Sequence, residues 1–69
     1  MVASRYEVTI KGEPGEVIRA AFDDVDVGCG PGVTVLAGEL DAAALHSLLA
    51  RIGDLGLELI AVQQVAVRR

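Results

Sequence analysis

VTVLAGELDAAALHSLLARIGDLGLEL, residues 33–59, contains a strand, a helix and the start of a second strand in close succession. Val33 to Gly38 is apolar on both alternating faces, as suits a strand in the middle of a sheet. Asp41 then offers a carboxylate to the unpaired N–H groups that open a helix. Projected at about 100° per residue, Leu45, Leu48, Leu49, Ile52 and Leu55 form one stripe, with Ser47, Arg51 and Asp54 opposite. Gly56 stands at the C′ position, where only glycine turns left-handed without strain. Leu57 onward reads as a new strand running to about Val67, with Gln63-Gln64 marking a bulge or a sheet edge.

Upstream, Arg5 to Lys11 alternates, placing Tyr6, Val8 and Ile10 on one face and Arg5, Glu7, Thr9 and Lys11 on the other. Gly12-Glu13-Pro14-Gly15 breaks that strand. Pro14 suits a first helical position, and Val17, Ile18, Ala21 and Phe22 supply a short apolar side. Val25-Asp26-Val27 alternates as a second strand, and Gly28-Cys29-Gly30-Pro31-Gly32 reads as the turn of a hairpin.

The predicted order is β-α-β-β-α-β, an α+β ferredoxin-like two-layer sandwich. Its four-stranded antiparallel sheet carries two helices on one face, with the first and third strands central. Residues 1–69 form a single domain, because a chain of 69 residues has too little interior for two cores. With Tyr6, Val8 and Ile10 turned to the helices, the uncovered sheet face is expected to collect Glu7, Thr9, Leu36 and Ile60 or Val62.

Composition narrows the function classes. At 52% hydrophobic and 3% aromatic, the core must be built from aliphatic side chains. One cysteine rules out an intrachain disulfide, and one histidine leaves no recognisable zinc set. A domain this small ordinarily needs a staple, and with those two excluded, association with another subunit is the remaining one. The formal charge of −4 and the scattered cations disfavour nucleic acid. No apolar run approaches membrane-spanning length, and the first residues lack the features of a secretory signal, so a cytoplasmic location is expected.

No catalytic constellation emerges, and no metal or cofactor is called for. His46, the single imidazole, lies about 115° from the centre of the apolar stripe, flanked by Ala42, Ala50 and Gly53. It reads as a boundary residue at a helix contact or interface, since no nucleophile or orienting acid is tied to it by spacing. Cys29 has no cation beside it to lower its pKa, and Asp23, Asp24 and Asp26 lack calcium-loop spacing.

Two resemblances bear on this reading. Thr34 to Leu59 resembles a TVLxGxLxxAALHxLLxRIxDLGLxL pattern of short uncharacterised bacterial proteins, actinobacterial in type, and Tyr6 to Gly12 is similar to their opening. That resemblance implies a bacterial origin and no particular activity. The Gly12-Glu13-Pro14-Gly15 turn is also similar to the opening of ACT domains, regulatory modules that dimerise and bind amino acids near that turn. The leading expectation is a non-enzymatic, self-associating interaction or assembly module, a homodimer first, or a partner for another protein. Its interface would involve Leu36, Ile60, Val62 and His46. The alternative is an ACT-like sensor holding a small metabolite between subunits at Gly12, Glu13, Gly15 and Glu16.

Overall fold

The computed structural model describes residues 3–65. Its elements run β1 (Ser4–Lys11), α1 (Glu16–Ala21), β2 (Asp26–Gly30), β3 (Val33–Leu40), α2 (Ala42–Asp54) and β4 (Leu59–Val65). The class is α+β, a four-stranded antiparallel sheet of order β2-β3-β1-β4 with two helices. The first and third strands are central, as expected.

Helix α2 matches its sequence signals closely. The Asp41 carboxylate accepts from the Ala44 N–H at 2.8 Å, the N-cap bond read from the sequence. At the other end, Leu57 N–H donates to Ile52 O at 3.1 Å and Gly56 N–H to Gly53 O at 3.0 Å. Gly56 sits at φ 72°, so the pair forms a Schellman stop. Of the five-residue stripe, Leu48 and Ile52 are buried, Leu45 and Leu49 pack against the core, and Leu55 turns outward.

The first helix departs from expectation. It begins at Glu16, two residues after Pro14, because Gly15 is the extended N-cap. No residue within it is buried, and Val17 is 72% exposed instead of facing the core. The anchor is Phe22, the C-cap residue, whose ring is fully buried.

The second strand is longer than its alternation suggested. Gly28, Cys29 and Gly30 belong to β2, paired with Val35, Thr34 and Val33, and only Pro31-Gly32 makes the turn. Proline fixes φ near −65° and Gly32 has φ 71°, the φ combination of a type II turn. Backbone pairing to β3 overrides the weak strand propensity of the glycines.

Register corrects the placement of Leu36. Val8 lies directly opposite Leu36 across the β1–β3 ladder, and directly opposed residues share a face. Leu36 therefore points to the helices and is completely buried, packed with Val8, Ile10, Phe22, Leu48 and Ile52. Val62 also lies opposite Val8, across β4, so it too is on the helix side and not on the uncovered face. The register of β4 shifts between Thr9 and Ile10, so Ile60 is the extra residue of a bulge, nearer the strand start than Gln63-Gln64. The uncovered face holds Glu7, Thr9, Val35, Ala37, Ala61 and Gln63, small or polar side chains for the most part. Val67, where β4 was expected to end, lies outside the described residues.

Candidate functional site

The turn from β1 into α1 holds the four residues of the metabolite reading. Gly12 N–H donates to Gly32 O at 2.8 Å, and the Gly12 carbonyl accepts from the buried Thr34 Oγ1 at 2.7 Å. Those two bonds tie the turn to the β2–β3 hairpin, and the second satisfies the one buried polar side chain among the described residues. Gly12, Glu13, Gly15 and Glu16 are all exposed, and a Cβ built on Gly12 or Gly15 would meet nothing within 4 Å. Within one chain, this turn has no walls to enclose a metabolite.

His46 and Cys29 are both exposed and lie on different elements, α2 and β2. Cys29 sits in the edge strand and not in the hairpin turn. His46 is set apart from Leu36, which is buried, and from Ile60 and Val62 on β4, so the four residues expected at one interface separate into three places. Among the described residues, no group of three or more His, Cys, Asp or Glu side chains converges to hold a metal ion, and no helix is long and apolar enough to cross a membrane.

An open cleft of about 310 Å³ lies where the α1–β2 connection meets the sheet, lined among others by Arg5, Asp23, Asp24, Asp26 and Glu39. Arg5 Nη2 approaches Asp26 Oδ2 at 3.7 Å. Beside it, Arg51 reaches across from α2, with Nη1 donating to Asp24 Oδ1 at 3.0 Å and to the Ala21 carbonyl at 2.9 Å. Its guanidinium also stands 5.4 Å from the centre of the Phe22 ring. The hydrogen bond from Arg51 holds the Asp24 carboxyl below the ordinary aspartate range. Sequence reading placed Arg51 on the solvent side of its helix. The available signal, a cation in the last helical turn, did not reveal a partner 27 positions upstream. This cluster ties α1 to α2 and is structural in its chemistry.

The apolar surface lies elsewhere, along residues 55–62. Leu55 (43%), Leu59 (45%), Ile60 (52%) and Val62 (39%) are exposed there, in chain order from the end of α2 into β4. Strand β4 lies at the edge of the sheet. From Leu59 to Val65 it has no ionisable residue, no proline and no glycine. Ile60 and Val62, two of the expected interface residues, are thus together on an open edge.

A family model described as a domain of unknown function (DUF8691) matches residues 5–63. The chain belongs to the DUF8691 family. No curated protein and no solved structure matches it. The DUF8691 match takes in part or all of every element, from Arg5 in β1 to Gln63 in β4, so the Asp41 cap, the Gly56 stop and the exposed Leu59, Ile60 and Val62 fall within the family's domain.

Proposed function

We propose that this DUF8691 domain is a non-enzymatic, self-associating interaction or assembly module with a ferredoxin-like fold. Read from its other edge, the strand order is β4-β1-β3-β2, and each helix links strands that are not neighbours, which supports that fold class. One observation carries the functional reading: exposed Leu59, Ile60 and Val62 on the edge strand β4 of a chain with formal charge −4. A small domain gains most by covering such a strip, because six buried apolar residues make a small core. A cytoplasmic setting accompanies this reading, supported by the exposed, unpaired Cys29, which a reducing compartment preserves.

The test is the solution mass across a dilution series, by light scattering after gel filtration. A species of twice the 7.2 kDa chain mass supports self-association. A 7.2 kDa species at every concentration down from about millimolar removes it.

A further inference from the structure

The two edges of the sheet are built differently. Strand β2 is five residues long, opens on Asp26 beside Asp23 and Asp24, and contains Gly28 and Gly30. Short length and charge are among the devices by which proteins discourage pairing at an edge. Strand β4 has seven residues, no charge and no proline, and beyond its bulge at Ile60 the run Ala61 to Val65 is regular. Two copies of an acidic chain approach each other at least electrostatic cost along a strand that bears no charge.

Backbone phase identifies which groups of β4 are free. Gly12 N–H bonds across to β3's side at Gly32, whereas Lys11 N–H bonds toward β4's side at Glu58. In an antiparallel ladder such bonding alternates residue by residue, so Arg5, Glu7 and Thr9 aim their backbone groups at β4. Their partners Val65, Gln63 and Ala61 bond inward. Val62 and Gln64, beyond the bulge at Ile60, are left with N–H and C=O groups directed away from the sheet, and no strand among the described residues meets them.

We infer that the outer edge of β4 pairs antiparallel with β4 of a second copy, about a two-fold axis at Val62, joining two sheets into one of eight strands. This rests on the self-association proposed above and assigns its surface. The arrangement sets Val62 against Val62, Ile60 against Gln64 of the second copy, and Ala61 against Gln63. The two Val62 residues exchange about two interchain backbone hydrogen bonds, and the free groups of Gln64 face the bulge at Ile60 of the second copy. No charge meets a like charge across the seam, since the strand carries none. The same residues serve on both sides, so the contact closes as a dimer and does not propagate.

Two substitutions read the seam directly. Gln64→Pro removes an outward N–H that makes no bond within the chain, a change edge strands tolerate. Val62→Lys places a like charge at the two-fold axis. Both are expected to halve the wild-type mass while keeping the circular dichroism spectrum, and Cys29→Lys on the opposite edge is expected to leave the dimer intact. A dimer that survives both substitutions in folded protein overturns the β4 assignment and leaves self-association standing through another surface. A wild-type protein that is monomeric throughout overturns both, and a mass rising continuously beyond the dimer overturns the closed two-fold seam. Amide exchange on the wild-type chain serves if either variant unfolds. The Val62 and Gln64 amides should exchange at least about tenfold more slowly in the dimer than after dilution. Equal exchange at both concentrations in a protein that does dimerise rules out the seam.

Discussion

Arg51 does three things with one side chain. It pairs with Asp24, donates to the last carbonyl of α1 at Ala21, and covers the ring of Phe22. The Asp24 pair is largely exposed, so its own worth is about 0.5 kcal/mol. Arg51→Ala should cost more, about 1–2 kcal/mol by urea unfolding, because the carbonyl bond and the ring contact go with it. For Asp24→Asn the pH dependence gives the sign. A carboxyl whose folded pKa is lowered adds stability above its unfolded pKa of about 3.8–3.9, and that stability is lost as pH falls through the folded value. The wild-type advantage over Asp24→Asn should therefore be full at pH 7 and vanish in strong acid. At Leu36, truncation to alanine should cost about 2–5 kcal/mol and unfold much of the protein, since the side chain is in the core. A stable, folded Leu36→Ala protein that merely loses its dimer would return this residue to an interface.

The elements differ in how much they support themselves. Helix α2 has thirteen residues, a side-chain cap and a Schellman stop, whereas α1 has six residues and no side-chain cap. Removing the cap by Asp41→Ala should cost about 1 kcal/mol. Gly56→Ala should cost a similar amount, about 1 kcal/mol, because alanine must then adopt φ near 72°. Both are read from chemical denaturation midpoints, and unchanged midpoints would show that α2 is held by packing alone. The caps, the leucine stripe and the alternation of β1 were legible because each is a local preference with a fixed spacing. Strand β2 was legible at Asp26-Val27 but not in its extension through Gly28, Cys29 and Gly30, whose glycines have little tendency to extend and do so by bonding to β3.

At the scale of the molecule, the uncovered sheet face is mostly small and polar, and apart from Val17 on α1 the exposed large aliphatic side chains lie between Leu55 and Val62. If the β4 edge is a dimer seam, folding and association are linked, and the melting temperature must rise with protein concentration. A tenfold increase in concentration should raise it by a few degrees, about 2–8 °C for a domain of this size. A melting temperature independent of concentration over two decades would argue for a monomer. Of the candidate site, Ile60 and Val62 were within reach of the sequence. The place of Val62 on the helix side, and the separation of Leu36 and His46 from these two, were not, because cross-strand register sets these and no local spacing encodes it.

Residue spacing and local chemistry were enough to define the order of elements, both ends of α2, the central places of β1 and β3, the single free cysteine and the acidic balance of the chain. Tertiary structure alone assigned Leu36 to the core, Arg51 to Asp24 and the outward backbone groups to Val62 and Gln64. Each of these depends on which residue of one strand or helix lies opposite which residue of another. A one-residue slip exchanges the faces of a strand without changing its alternation, so that information exists only in the pairing.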